Sequence, residues 1–160
     1  MRLRHLHEAV KDRPPIRATE PLEISWIDPE EDWEQAGAVE MIAKKVEIRS
    51  VRSKDVTLIA RVGEDIIGGI FSEIYTEANP EDPDMEERVC DFDAVVDPDW
   101  QGYQGVGLKL IGAAIENARA EDCTLISLFV VNIRLQGVLR DKFGFEGEDY
   151  QRPCRMYLRL

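Results

Sequence analysis

Residues 96–111, VDPDWQGYQGVGLKLI, decide the fold class of this chain, because the residue pattern changes within them. A run typical of a β-strand ends at Val96, and from Gly105 onward apolar residues recur at the helical spacings of three and four. The glycines between the two allow a ligand to approach the backbone closely. The first free amides of the helix, aided by its dipole, then face the loop, an arrangement that suits a phosphate group.

Two common phosphate-binding motifs do not describe this loop. The Walker pattern GxxxxGK[ST] is absent, and no GxGxxG opens a first βαβ unit. Neither a P-loop domain nor a dinucleotide-binding domain is therefore predicted.

The rest of the sequence predicts elements in the order β-α-β-β-β-α-β-α-β, with one more short strand near Phe145. Apolar runs predict the strands, and spacings of three and four predict the helices. The first helix is expected to begin at Asp28, with Pro29 in its first turn. Two glycines, Gly68 and Gly69, indicate a bulge or a close backbone approach. The predicted strands are 22–27, 56–62, 66–76, 88–96, 124–131 and 154–160, and the predicted helices begin at 28, 105 and 132 or 133.

Composition and charge limit the class of protein. A chain of 160 residues with 44% hydrophobic residues fits one globular domain. We expect residues 1–20 to form an N-terminal extension and residues 21–160 to form that domain. No apolar run approaches the ~20 residues that span a bilayer, and the charged start is not a secretory signal, so a cytoplasmic protein without membrane contact is expected. A net charge of -12 disfavours nucleic acid as a partner.

The cysteines and histidines argue against several kinds of site. Cys90, Cys123 and Cys154 lie far apart, which favours neither a disulfide framework nor a zinc site. They are expected to be buried structural thiols, and no metal site is predicted. The only histidines, His5 and His7, lie in the N-terminal extension, so a Ser-His-Asp triad is not expected.

Two motifs resemble the GCN5-related N-acetyltransferase (GNAT) superfamily, whose fourth strand ends in V-x-P before an aromatic residue and a [Q/R]-x-x-G-x-[G/A] loop that opens a helix. Residues 96–98, VDP, match the first part. The second part matches either from Trp100, with one extra residue before Gly105, or from Tyr103. The first alignment places Leu110 and Ile111 on the buried face.

The second motif of the family is a strand, an asparagine, a helix and a Gly-Phe pair near the chain end. Asn132 and the pair at residues 144–145 match it. The resemblance covers residues 22–160. It implies an α/β (α+β) fold with a mixed, mostly antiparallel central sheet of six or seven strands flanked by helices.

The resemblance also implies a cofactor, acetyl-CoA, and the residues that bind it. The backbone near Val95 and Val96 would pair with the pantetheine amides, the glycine loop would hold the pyrophosphate, and Asn132 would bond to the pantetheine arm. Arg140 is a further candidate for a coenzyme A phosphate. The predicted cofactor-binding residues are Val95, Val96, Gln101, Gly102, Tyr103, Gln104, Gly105, Val106, Gly107, Asn132 and Arg140.

The implied reaction is direct attack of a primary amine on the thioester, which requires a group that accepts a proton. Asp91 and Asp93 lie two residues apart on a predicted strand and therefore share a face. Two partly desolvated like charges could raise one carboxyl pKa into a useful range. The alternative is that both face solvent and affect only solubility. Glu73, on the neighbouring strand, is a further candidate base.

A general acid is harder to identify. The family often places a tyrosine about four residues before its Gly-Phe pair, where this chain has Leu139 or Arg140. Tyr150, Tyr103 or water would have to take this role. Positioning alone supplies much of the catalysis of such reactions, so an acyltransferase, most readily an N-acetyltransferase, is still predicted.

The acceptor is predicted to be a small-molecule amine or a basic peptide. Residues 77–87, EANPEDPDMEE, form a predicted loop with six acids and no base, which could steer a cation. Exposed edge strands make a homodimer possible. Two other functions remain open: a module that binds acyl-CoA without turnover, and an acidic domain that covers a basic surface of another protein.

Overall fold

The computed structural model describes residues 20–48, 53–147 and 152–160 of the chain. The predicted extension 1–20, except Glu20, and the predicted catalytic residue Tyr150 lie outside these residues. Seven strands and three α-helices are described. The strands are β1 (Leu22–Trp26), β2 (Asp55–Val62), β3 (Asp65–Ala78), β4 (Glu86–Val96), β5 (Leu125–Val130), β6 (Glu146–Gly147) and β7 (Cys154–Arg159). The helices are α1 (Trp33–Lys45), α2 (Val106–Ala120) and α3 (Ile133–Phe143).

All seven strands belong to one sheet in the order β1-β2-β3-β4-β5-β7-β6. Every neighbouring pair is antiparallel except β4 and β5, which run parallel and are joined through α2. A parallel pair needs a long crossover of this kind, whereas antiparallel neighbours can be joined by a short turn, as β2 and β3 are. The predicted mixed, mostly antiparallel sheet is confirmed, as is the short strand near Phe145.

The helices cover the two faces of the sheet unequally. Helix α1 packs Val39 and Ile42 against Ile59, Phe71 and Val95 on one face. Helices α2 and α3 cover the other face, where the largest cluster of buried apolar side chains forms. Among the helices that the structure describes, only α1 lies on the first face.

Strand β5 shows the consequence of this unequal cover. The prediction that both of its faces are covered is wrong at one position, since Phe129 is 44% exposed. Its other face, with Ile126 and Leu128, is buried under α2 and α3.

The glycine pair of β3 sits at a close backbone approach, as predicted. A Cβ on Gly68 would lie 2.5 Å from the carbonyl oxygen of Val95, and one on Gly69 would lie 2.6 Å from that of Leu58. The pairing of β2 with β3 is irregular just beyond this point. Only glycine allows the strands and α1 to meet here without displacement.

Two predicted boundaries are wrong. Helix α1 begins at Trp33 with Asp32 as its N-cap rather than at Asp28, because the Asp28 carboxylate accepts the Glu30 N–H and closes a turn instead. The predicted loop 77–87 is shorter, since β3 and β4 continue their pairing through Glu77 and Glu87. Within the described ranges, no helix is long and apolar enough to span a bilayer.

Candidate functional site

The central strands β4 and β5 part halfway along their length. They pair over three positions only, and the last pair is Asp91 with Ser127. Beyond it, β4 stays paired with β3 as far as Val96, while β5 stays paired with β7 as far as Val130. In the described chain no strand fills the gap, so this edge of β4 offers its backbone groups to a ligand.

The loop between β4 and α2 has an unusual backbone that brings the start of α2 next to this gap. Asp97 accepts the Asp99 N–H at 3.0 Å and caps a 3₁₀ turn, Pro98–Trp100. Gly102, Gln104 and Gly105 all have positive φ, at 78°, 47° and 68°. The two glycines make this path possible at little cost in strain.

Helix α2 presents an N-terminus that no side chain of its N-cap covers, because that residue is Gly105. A Cβ at Gly102 or at Gly105 would meet no atom within 4 Å, so both glycines border open space. The amides of the first turn and the helix dipole favour an anion there. The arrangement fits the predicted diphosphate site.

A cavity of about 390 Å³ joins the parted strands to this loop. Its walls come from β4, the loop, the first turns of α2 and one leucine of α3. The lining residues are Ala94, Val96, Gln101, Gly102, Gly105, Val106, Gly107, Leu108, Ile111 and Leu135. An apolar wall that leads to a helix N-terminus suits a ligand with a neutral arm and a phosphate group.

Six of the predicted cofactor-binding residues meet in this cavity, and the others do not. Val96, Gln101, Gly102, Gly105, Val106 and Gly107 line it. Val95 faces the opposite side, where its side chain is buried with α1. Because successive side chains of a strand point to opposite faces, only the backbone of Val95 lies near the gap.

Tyr103 and Gln104 hold the loop against the start of β1 rather than line the cavity. The Tyr103 hydroxyl donates to the Glu20 carbonyl oxygen at 3.0 Å. The Gln104 side chain donates to the same oxygen at 3.2 Å and accepts the Leu22 N–H at 3.4 Å. These contacts explain how a left-handed Gln104 is maintained, and they direct both side chains away from the predicted ligand.

The two predicted residues of the α3 region lie at opposite ends of this helix. Asn132 is the N-cap of α3, since its Oδ1 accepts the Leu135 N–H at 3.1 Å. Its Nδ2 group is the part that could donate to a pantetheine carbonyl. Arg140 lies in the last turn of α3, 3.3 Å from Asp141, and does not line the cavity.

The predicted acids lie on the face of β4 opposite the cavity. Asp91 and Asp93 are buried, so the alternative that both face solvent is wrong. Lys54 reaches both carboxylates, at 3.4 Å from Asp91 and 2.8 Å from Asp93. Arg155 contacts Asp91 at 3.2 Å and Ser127 at 2.6 Å. The acids therefore stand in ion pairs rather than as an isolated pair of like charges.

Glu73 and Tyr75 extend this polar group along β3. Glu73 pairs with Asp91 across the strands, so the two side chains share a face. Burial raises the pKa of the Tyr75 hydroxyl, and the charges of Glu77, Asp91 and Glu73 add to this effect. The structure thus brings together three of the four predicted catalytic residues, and the fourth, Tyr150, lies outside the described residues.

Sequence reasoning missed Lys54, Ser127 and Arg155. The final strand does carry a signal, since polar residues alternate in CRMYLR and indicate a polar face. Lys54 gives no comparable signal, because it precedes β2 and lies 39 residues before Asp93. Only the fold brings these residues together.

The thiols do not contribute to the site. All three cysteines are free and buried, as predicted. Burial raises the pKa of Cys90 to about 12, with a smaller effect from Cys123. A thiol of this kind is a poor nucleophile at neutral pH. No cluster of metal-ligating residues occurs among residues 20–48, 53–147 and 152–160.

A larger cavity, about 530 Å³, lies at the other end of the sheet. Glu77, Leu125, Glu146, Tyr157 and Arg159 are among its lining residues. The glycine on its wall, Gly144, lies at the C-terminal end of α3, and no N-terminus of a described helix lines it. The smaller cavity is therefore the better candidate for a phosphate-bearing cofactor.

Comparisons with known proteins agree with this geometry. The sequence model of the acetyltransferase (GNAT) family matches residues 18–145. No curated protein shows significant sequence similarity to the chain. Among solved structures, the NatC complex bound to Gag peptide and CoA contains a similar chain, with a TM-score of 0.66 and 16% identity over 87% of this chain and 98% of that one.

Two further structures share the fold. A GNAT family acetyltransferase from Brucella melitensis in complex with acetyl-CoA has a TM-score of 0.59 and 18% identity over 88% of this chain and 89% of that one. An aminoglycoside acetyltransferase from an uncultured soil metagenomic sample, in complex with trehalose, has a TM-score of 0.56 and 18% identity over 77% and 86%.

Proposed function

Because this chain belongs to the acetyltransferase (GNAT) family, we propose that it binds acetyl-CoA and transfers the acetyl group to a primary amine. The observation that carries the proposal is the parting of β4 and β5 beside the glycine loop and the N-terminus of α2. An extended ligand arm can enter between the strands while its diphosphate rests on the helix.

Different residues of the cavity would bind different parts of the cofactor. The amides that follow Gly105 would hold the diphosphate, and the free edge of β4 near Val96 would pair with the pantetheine amides. Leu135 and Ile111 supply apolar walls. Asn132 adds one donor from the opposite strand end. When bound, acetyl-CoA supplies an activated acetyl thioester.

The acceptor amine would approach from the face that α1 leaves open. The last β4–β5 pair, Asp91 with Ser127, marks where the gap between the strands closes. Asp91 and Asp93 lie at this level on the opposite face from the cavity. An alkylamine is mostly protonated at neutral pH, so its proton must be removed before attack, and we assign this role to one of these carboxylates.

A second candidate function is an acyl-CoA-binding module without turnover. It is favoured by one observation, that Lys54 and Arg155 already occupy both carboxylates of the proposed base. This candidate predicts cofactor binding with no acetyl transfer to any amine. The acidic interaction domain has no such supporting contact in the described chain.

Calorimetric titration with acetyl-CoA and a thiol-release assay test the proposal together. The assay would use polyamines, amino acids, aminoglycosides and basic peptides as acceptors. We expect binding, and thiol release with at least one amine. Binding without release would support the module, and no binding at millimolar ligand would refute both functions.

A cavity-filling variant shows whether binding occurs at the proposed site. Ala94→Phe places a ring in the cavity between the parted strands and should abolish acetyl-CoA binding. Ala78→Phe makes the same change at the exposed end of β3 and should leave binding unchanged. Circular dichroism confirms that both variants are folded. Equal affinity in the two variants would place the cofactor elsewhere.

A further inference from the structure

Lys54 is buried in a way that stability alone does not explain. Its side chain is 5% exposed, and its ammonium group lies between Asp91 and Asp93. Burying an ammonium group and two carboxylates is costly even when they pair. Replacing such a group with apolar residues of similar volume is often neutral or stabilising. The arrangement therefore suggests a use for the two carboxylates.

The charges around Lys54 indicate which kind of ligand the two carboxylates could bind. Among the described residues, Asp91, Asp93, Lys54 and Arg155 form an ion-paired set whose charges balance. Glu73, which shares this face, adds a negative charge outside the set. Without Lys54, the set itself is left with one negative charge. The vacated position would therefore match a single ammonium group, the same chemical group that Lys54 brings.

We propose that Lys54 occupies the acceptor-ammonium position as an internal substitute, and that the acceptor is a primary alkylammonium which displaces it. This inference rests on the proposed function, because it assigns the acceptor side of the same site. An aromatic amine is uncharged at neutral pH and could not compete with Lys54 for the two carboxylates. The acceptor class is thereby narrowed to aliphatic amines, which are protonated at neutral pH.

The position of Lys54 in the chain allows it to withdraw. The residue directly precedes β2, whose pairing with β3 begins at Asp55 and Ser72. Its flexible four-carbon stem can therefore move without breaking the sheet. An occupant of this kind lowers the apparent affinity for the acceptor by the fraction of molecules in which the position is open.

The first test is a split between the two Michaelis constants. Lys54→Met keeps the apolar stem and removes the ammonium group. If the position is open in roughly a tenth of wild-type molecules, the acceptor KM should fall about tenfold in this variant. The KM for acetyl-CoA should be unchanged. Lys44→Met, on the exposed side of α1, is the matched control and should change neither constant.

The second test is chemical rescue. Lys54→Ala removes propylammonium from Cγ to Nζ, so n-propylamine fits the vacated space. We expect n-propylamine to raise the Tm of this variant and to be converted to N-propylacetamide, detected by mass spectrometry. Wild type should convert it far more slowly. n-Propanol, which lacks the charge, should do neither.

The outcomes separate this inference from the proposed function. Suppose that wild type and Lys54→Met both bind acetyl-CoA and that wild type acetylates an amine. If the acceptor KM of Lys54→Met is then unchanged or higher, Lys54 is only a structural counterion and the inference is wrong. The same conclusion follows if n-propylamine stabilises Lys54→Ala without being acetylated. If wild type does not bind acetyl-CoA, the proposed function fails, and the inference fails with it.

Discussion

Asp93 is better placed than Asp91 to accept a proton from the acceptor. Lys54 contacts both carboxylates, whereas Arg155 contacts only Asp91. If Lys54 withdraws, Asp91 keeps a cation, whereas no other cation in residues 20–48, 53–147 and 152–160 lies at the distance of an ion pair from Asp93. These contacts therefore favour Asp93 over Asp91 as the base, a choice between two carboxylates that the sequence alone does not make.

The Asp93→Asn variant tests this assignment. Because the amide cannot take up the proton, we expect kcat to fall by about 10²- to 10⁴-fold, the usual contribution of a general base. The affinity for acetyl-CoA should persist, since Asp93 lies on the face opposite the cavity. Steady-state thiol release measures kcat, and calorimetric titration measures the affinity for acetyl-CoA.

The control for this variant is Asp122→Asn. Asp122 lies in the turn after α2 at a φ of 59°, a conformation that asparagine also adopts. It should retain wild-type turnover. A kcat for Asp93→Asn within twofold of this control would mean that Asp93 is not the base.

The buried thiol of Cys90 gives a prediction about pH. Its pKa is raised by burial from 9.0 to about 12, so above pH 9 the unfolded chain loses a proton that the native state keeps. Unfolding is therefore favoured as pH rises, by up to about 1.4 kcal/mol per pH unit for one group. The contribution is fully present below pH 9 and is lost progressively above it.

Urea unfolding at several pH values checks this effect. The free energy of unfolding of Cys90→Ala should decline less steeply above pH 9 than that of wild type. The variant will be less stable overall, because it leaves a small cavity, but only the slope bears on the prediction. Parallel curves for the two proteins would contradict the raised pKa.

At the scale of elements, the loop before α2 depends on glycine for two separate reasons. Gly105 has a positive φ, and it borders the space where a diphosphate would lie. Gly144, the C-cap of α3, shares the first property and has open space around it, but it does not line the cavity. A comparison of Gly105 with Gly144 therefore separates the effect of backbone strain from the effect of contact with the ligand.

We therefore predict different effects of the same substitution at the two glycines. Both Gly105→Ala and Gly144→Ala should cost about 1–2 kcal/mol of stability, the price of a left-handed alanine. Only Gly105→Ala should also weaken acetyl-CoA binding, because its Cβ enters the proposed cradle. Thermal unfolding and calorimetric titration measure the two quantities. Unchanged affinity in Gly105→Ala would argue against a diphosphate at this helix end.

The elements themselves are largely predictable from the sequence, and the errors have local causes. The predicted element order contains every described α-helix and strand, and Leu110 and Ile111 lie buried on α2 as expected. The start of α1 was misplaced because Asp28 closes a turn that resembles a helix cap. The acidic ends of β3 and β4 resemble a loop in sequence because glutamate has a low strand propensity. In the structure, cross-strand pairing outweighs that propensity.

At the scale of the whole molecule, the sequence predicts the two halves of the site unequally. The cofactor half is contiguous, and six of its predicted residues line one cavity. The acceptor half is assembled from β4, β5, β7 and the residue before β2. Arg155 lies 64 residues from Asp91 in the chain, so no local pattern could show that they pair.

The net charge of -12 gives a final prediction, about the two substrates of opposite charge. The ion-paired set of Asp91, Asp93, Lys54 and Arg155 is neutral in the resting protein, so we expect most of the attraction of a cationic acceptor to come from the field of the whole molecule. Salt should weaken this field, since the Debye length falls from ~10 Å at 0.1 M to ~3 Å at 1 M. For a cationic alkylamine, kcat/KM should therefore decrease as ionic strength rises.

Acetyl-CoA, which is an anion, provides the internal comparison. The same acidic field repels it, so its KM should stay level or fall as salt is added. Steady-state thiol release over a range of NaCl concentrations, with one substrate varied at a time, measures both trends. If both substrates lose kcat/KM equally, salt acts on folding or on the site itself, and long-range steering by the acidic surface is refuted.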